Sequence, residues 1–391
     1  MRGISVLPRF PFPLTKSAPR AHGLDTLRAL AIVSVIVYHL NDFHGEGTLP
    51  AFVVPAANFG WMGVDLFFVL SGYLIASQFL RPYRAGVCPR LWPFYRNRLF
   101  RILPAFGVVL ALYLAVPGWR ESASLPPLWE FLTFTQNLFF DRSKDRAFSH
   151  VWSLCVEEHF YLFFPLIVVA AMRKRSAHIT LAIVGGLVFS GILIRSYVLF
   201  HLLVPLAATE GGSWLAFLER IYYPTYSHLD GLLAGVTLAL IRVFRPAWWA
   251  DLARRGHALF LVGTCLVALA VYLTKDFWNS VTGVSAIGVV FGFPVLSLGL
   301  GLLVASSVSN NGWLRFRIPG AKLIATLAYS LYLTHKEIIH LVDLWFPSIT
   351  EGHMLPWLAV YAVCSFLVAS ALYLCVERPF LILRDKRILG G

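Results

Sequence analysis

The sequence predicts an all-α, polytopic membrane bundle of about ten spanning helices, with both termini cytoplasmic. Composition is the first reason. Hydrophobic residues make up 58% of the chain, charged residues only 14%, and the mean hydropathy is +0.70, which leaves too little polar surface for a water-soluble domain. The second reason is repetition. Apolar stretches long enough to cross a bilayer recur near 24–41, 60–80, 101–117, 151–172, 178–200, 226–243, 257–274, 283–308, 322–346 and 354–376. The third is charge asymmetry. With the N-terminus inside, 24 Lys and Arg fall in inner segments, 6 in outer segments and 3 within spans. The net charge of +13 is thereby explained as topology and needs no nucleic acid.

Residues 1–21 are basic and broken by proline, with no apolar core followed by a cleavage site, so they read as a cytoplasmic tail and not a signal peptide. Residues 22–380 form the membrane-embedded domain, and 381–391 read as a cytoplasmic C-terminal tail. The five cysteines (Cys88, Cys155, Cys265, Cys364, Cys375) form no CxxC or metal-type spacing. No metal is expected.

The first span, HGLDTLRALAIVSVIVYHL, holds Arg28 and His39. Eleven helical steps turn about 1100° and climb roughly 16 Å, so the two side chains leave one face at different depths. Ionisable residues in a span are expensive and by default face the bundle interior. The second span, GWMGVDLFFVLSGYLI, places Asp65 in the outer leaflet and Ser71 near mid-depth. Before the third comes LWPFYRNRLFRILPA, whose Arg96, Arg98 and Arg101 suit a phosphorylated ligand or ordinary positive-inside anchoring. Segment 127–140 is too short and aromatic to span and is expected in the interface, while 202–218 is broken by Pro205, Gly211 and Gly212.

The fourth span, HVWSLCVEEHFYLFFPL, carries His150, Trp152 and Ser153 at its entry and Glu157 below them. Arg195 lies near the outer end of the fifth span, and Asp230 one turn into the sixth, TYSHLDGLLAGV. Asp65 and Asp230 read as caps or as partners of Arg195. The eighth span is interrupted by glycine and proline. The ninth, AYSLYLTHKEIIH, contains Tyr332, His335 and Lys336, the last expected to snorkel or to pair with Glu337. The tenth ends at Glu377–Pro379, where Pro379 is expected to stop the helix and Glu377 to meet an arginine of the 96–101 cluster, beside Arg378.

His39, Asp65, Glu157, Arg195, Asp230 and His335 all fall in the outer half of the bilayer. Each such group costs about 2.5–3.5 kcal/mol at a helix centre on insertion scales, so a shared cavity is the economical arrangement. Within it, His39 is expected to act as base or nucleophile, with Glu157 holding its tautomer.

Taken together, these segments resemble the membrane acyltransferase 3 family, which O-acylates sugars and sugar-containing molecules. The arginine–ten residues–histidine signature is matched by Arg28 and His39, and GVDLFFVLSGYLI, FYRNRLFRILPA, HVWSLCVEEHFYLFFPL, HLDGLLAGV, AYSLYLTH and ERP follow in family order over residues 22–380. The resemblance implies a donor of cytoplasmic acetyl-CoA and an acceptor on the outer side. It implies His39 as the principal catalytic residue, Arg28 on the donor path and Glu157 as an essential carboxylate. CoA phosphates would rest on Arg96, Arg98 and Arg101, the thioester would reach His39, and Arg195 or Tyr332 would stabilise the oxyanion. Many family members carry a further hydrolase-like extracytoplasmic domain. This chain stops soon after ERP, and is expected to transfer directly or to need a separate extracytoplasmic partner.

The acceptor classes consistent with the resemblance are O-antigen, exopolysaccharide, peptidoglycan and a glycosylated metabolite, in a bacterial inner membrane. The rival reading is a transporter or export-complex subunit using the buried polar residues as a relay. Against it, no second broken span mirrors the eighth in a repeated half.

Overall fold

The computed structural model describes residues 22–44, 49–84, 87, 90–141, 144, 147–172, 177–206, 212–275, 285–347 and 354–389. The expected tail at 1–21 lies outside them. All regular structure among the described residues is helical. The principal helices are α1 (His22–His44), α2 (Met62–Arg84), α3 (Leu91–Ala115), α4 (Trp152–Met172), α5 (Ala177–Val198), α6 (Asp230–Phe244), α7 (Pro246–Arg254), α8 (Gly256–Thr274), α9 (Ala286–Ser307), α10 (Ala321–Trp345), α11 (Met354–Leu372) and α12 (Arg378–Leu389).

Each of the ten expected spans corresponds to one of these helices. Among the described residues, eight stretches are long and apolar enough to cross a membrane by length and composition, or nine if the pair α6–α7 is one span. That pair bends by 111°. Arg245 leaves helical geometry (φ −127°, ψ 63°), and Pro246 restarts a helix whose ring needs no upstream acceptor. Helix α10 has 25 residues, long enough to span, yet Lys322, His335, Lys336, Glu337 and Asp343 dilute its apolar content. It sits at the polar centre, buried continuously from Ser330 to Ile339 and packed against α1, α3 and α11. The segment 127–140 forms two short helices, Leu128–Leu132 and Gln136–Phe139, neither long enough to cross.

Close backbone approach sets the inner packing. A Cβ on Gly72 of α2 would run into the Leu232 carbonyl of α6, and one on Gly235 into the Val69 carbonyl. Without side chains there, the two helices touch backbone to backbone, the small-residue mode of membrane helix pairing.

Two irregularities place functional side chains. Phe148 adopts a left-handed backbone (φ 57°), which a bulky residue takes only under strain. Its ring stacks on Tyr113 at 4.2 Å, and its amide donates to Glu121 Oε1 at 2.9 Å. That anchor turns the chain into the 3₁₀ turn Ser149–Val151, which aims His150 inward. At the other irregularity, Pro379 does not stop the last helix as expected. A π turn over Tyr373–Glu377, in which the Arg378 amide donates to Tyr373 O, shifts the ladder by one residue. The helix then runs through Pro379 to Leu389, into the segment expected to be a tail.

Candidate active site

His39 projects from α1 toward His335 of α10. His335 Nδ1 lies 2.8 Å from the Tyr332 carbonyl, which can only accept, so in the neutral ring the proton sits on Nδ1 and Nε2 keeps the lone pair. His39 Nδ1 stands 3.1 Å from that lone pair and 3.0 Å from the Val35 carbonyl. It therefore carries His39's own proton, which leaves His39 Nε2 as the basic nitrogen. Orientation of the imidazole is thus a matter for His335 and the α1 backbone.

A small pocket of about 50 Å³ lies at His39, with Tyr38, Asp42, Trp61, His150, Tyr222 and Lys336 among its walls. Burial raises the Tyr222 phenol, in the segment between α5 and α6, well above its ordinary value, so it faces the pocket protonated. Tyr332 closes the inner side. Its hydroxyl donates to the His150 carbonyl and accepts from Ser153 Oγ at 2.6 Å, fixing the ring.

On the far side of Tyr332 opens a larger cavity of about 620 Å³. Its wall carries Arg28, Arg90, Arg98, Arg101 and Arg384 against the carboxylates of Glu157 and Asp385. Its deep end is formed by Ser71, Ser153, Glu157, Tyr161 and Tyr332. Ser71 and Tyr161 are hydrogen-bonded to each other and both adjoin the Glu157 carboxylate. The Arg98 guanidinium lies over the Tyr161 ring, 4.6 Å from its centroid. Val64 and Tyr332 line both cavities, so the two spaces share one wall.

Several expected contacts are corrected. Glu157 lines the large cavity and His39 the small one, so the carboxylate does not hold the imidazole tautomer. Arg195 is fully buried, with Nη1 and Nη2 on Asp230 at 2.6 and 3.1 Å and Nη1 on the Ser227 carbonyl at 2.7 Å. It lines neither cavity, which removes it as an oxyanion donor. Asp65 pairs not with Arg195 but with His228 Nε2, at 3.0 Å and with both side chains fully buried. Lys336 turns away from Glu337 to reach Glu121 Oε1 at 3.2 Å and Ser149 Oγ at 2.7 Å, because adjacent helical residues face different ways.

Of the basic cluster, Arg98 and Arg101 line the cavity and Arg96 does not, being on another face of α3. Arg28 lines the cavity, with Nη1 at 3.8 Å from Asp25. Glu377 accepts from Ser330 Oγ at 3.1 Å and has Arg101 as a cationic neighbour, whereas Arg378 is exposed. Trp152 stacks on His228 at 5.3 Å behind the small pocket. The sequence reading missed His228, although it stands two residues before Asp230 in TYSHLD, and it missed Arg90 and Arg384 on the wall of the larger cavity and Glu121 beside Lys336.

The sequence profile of a family described as "Acyltransferase domain" matches residues 21–375. The chain is 27% identical over 383 residues to the O-acetyltransferase OatA of Staphylococcus aureus strain NCTC 8325 / PS 47, covering 91% of this chain and 56% of that protein. It is 28% identical over 377 residues to a Bacillus subtilis strain 168 protein provisionally named peptidoglycan O-acetyltransferase YrhL, covering 91% and 54%. A provisionally named O-acetyltransferase of S. aureus strain COL is 27% identical over 384 residues, covering 92% and 57%. The chain thus spans little more than half the length of these relatives. No solved structure matches it.

Proposed function

The chain belongs to the acyltransferase family, and from that premise we propose that it moves an acyl group, acetyl by default, from cytoplasmic acyl-CoA to a sugar hydroxyl on the outer side of a bacterial inner membrane. The observation that carries this reading is the single wall, Val64 and Tyr332, between an arginine-lined cavity and a pocket holding an imidazole with a defined basic nitrogen.

In this reading the donor enters the large cavity from the basic end. Arg98 and Arg101, with Arg28, Arg90 and Arg384, neutralise its phosphates. The thioester reaches the deep end by Glu157 and Tyr332. The acceptor hydroxyl enters the small pocket, where His39 Nε2 takes its proton as the oxygen attacks the thioester carbonyl. The C–S bond breaks, the new C–O ester forms, and the proton ends on the CoA thiol. The Tyr332 hydroxyl, its proton held by the His150 carbonyl, fixes the wall beside the reacting carbonyl, and His335 acts as the positioning residue for His39. Glu157, placed in the donor cavity, orders Ser71 and Tyr161 around the reacting end of the donor.

The 24-to-6 bias of basic residues supports a cytoplasmic position for the basic end. A glycan acceptor is supported by relatives named for O-acetylation, one of them for peptidoglycan.

The test is acyl transfer by the purified chain in proteoliposomes. Labelled acetyl-CoA on the arginine side and a peptidoglycan fragment or oligosaccharide on the other should give a base-labile labelled ester, lost in His39→Ala. Absence of ester on every glycan offered, with solute uptake driven by a proton gradient, would overturn it in favour of a transporter.

A further inference from the structure

One buried cluster beside the small pocket has no part in the chemistry above. Glu337 of α10 is 0% exposed, and neither carboxylate oxygen has a hydrogen-bond partner among the described residues. His150 is 2% exposed; one ring nitrogen faces the Leu333 backbone, and no side chain is hydrogen-bonded to either. Glu121, from the loop after α3, completes the group, and one ligand atom from each of the three lies within 4.8 Å of the others.

The nearest ammonium does not resolve this. Lys336 Nζ is directed to Glu121 and Ser149. A buried carboxylate with nothing opposite it is strongly penalised, whether ionised or protonated. Glu337 and His150 are not hydrogen-bonded to each other, yet they are near enough for one atom to bridge them. Ligands bound at about 2.0–2.2 Å to a common ion stand roughly 3.3–4.2 Å apart, a spacing this cluster admits. One imidazole and two carboxylates are a donor set for borderline divalent ions. Glu121 is also oriented from behind, by the Tyr113 hydroxyl at 2.8 Å and the Phe148 amide at 2.9 Å, as the second layer of a metal site requires.

We propose that Glu121, His150 and Glu337 bind a divalent first-row transition-metal ion that ties α10 to the loop after α3 and to the turn before α4. The ion would brace the helix that carries His335 against the segment that carries His150. The proposal does not depend on the acyl-transfer reading, because its readouts are metal content and stability.

The full chain, purified in detergent and stripped with a chelator, is titrated with Zn²⁺ or with Mn²⁺. Bound metal is counted by mass spectrometry, and thermal unfolding is followed. The expected result is about one ion per chain and a raised unfolding midpoint. Glu337→Gln and His150→Gln, near in shape to the parent residues, should each retain less than a tenth of the metal. X-ray absorption of the Zn²⁺-loaded wild type should show nitrogen and oxygen ligands without sulfur, a readout that stands if either variant fails to fold. Wild-type protein that takes up neither ion, with an unmoved midpoint, would overturn the proposal in favour of a buried proton or trapped water. Full loading of both variants, or sulfur in the coordination shell, would overturn it equally.

Discussion

His335 Nε2 stands 3.1 Å from His39 Nδ1, and the Tyr332 carbonyl 2.8 Å from His335 Nδ1 decides which of the two rings donates. The dyad joins α1 to α10, so the orientation of His39 depends on the packing of a helix distant in sequence.

His39→Ala should abolish acyl transfer while the chain still inserts and purifies normally. His335→Ala should lower kcat by about 10²–10⁴, the usual worth of a positioned acid–base group, with little change in KM for the donor. His335→Gln should recover part of the loss, because its amide oxygen can accept from His39 Nδ1. Comparable rates for His335→Gln and His335→Ala would show that the acceptor atom is irrelevant.

Glu157→Gln separates the two cavities. A carboxylate that oriented His39 would change kcat and the pH–rate profile when neutralised. Placed in the donor cavity, it should instead change KM for acyl-CoA and leave the profile of kcat against pH where it was. Steady-state kinetics at several pH values decide between these.

The arginines should act on the donor's phosphates. Arg98→Ala or Arg101→Ala should each raise KM for acetyl-CoA by roughly 10–100-fold, as expected for losing a charge-assisted hydrogen bond of about 1.5–3 kcal/mol. A small acetyl thioester without phosphates should be used equally well by the wild type and both variants. Arg96→Ala, off the cavity wall, should leave both substrates almost unaffected.

The Arg195–Asp230 pair should matter for stability and not for turnover. Removing one partner leaves an unopposed buried charge and should cost about 3–5 kcal/mol. Asp230→Asn should therefore lower the unfolding midpoint clearly. Arg195→Met combined with Asp230→Leu should recover much of that loss. The rate per folded molecule should be nearly unchanged in the double variant, and a large fall in kcat would restore a catalytic role for Arg195.

The helices were legible because bilayer thickness imposes a length and an apolar content that read directly from sequence, and every expected span has its helix. Helix α10 is polar for a span, since a helix buried at the centre of a bundle is free to be so, and α6 is short because Pro246 bends the chain into α7. In the candidate site, helical spacing placed Arg28 and His39 on one face, and the structure puts them on the walls of adjoining cavities. Depth along a span does not specify direction around it. For that reason Glu157 was assigned to His39 across Tyr332, Lys336 to its neighbour Glu337, and Asp65 to Arg195 instead of His228. Arg90 lies at a helix end, Glu121 in a loop and Arg384 in a segment expected to be a tail, where no periodicity indicates which way a side chain turns.

The shared wall of Val64 and Tyr332 has a consequence for how such a protein could work. Two chambers divided by one layer of side chains permit vectorial chemistry with no alternating-access cycle, since neither large molecule has to change compartments. Under the proposed reaction only the fragment being exchanged would cross, over a few ångströms, while the Tyr332 hydroxyl, clasped by Ser153 and the His150 carbonyl, would keep the partition shut to bulk solvent. Swapping the tyrosine for a smaller residue would then do more than slow turnover. It would turn a sealed relay into a leak.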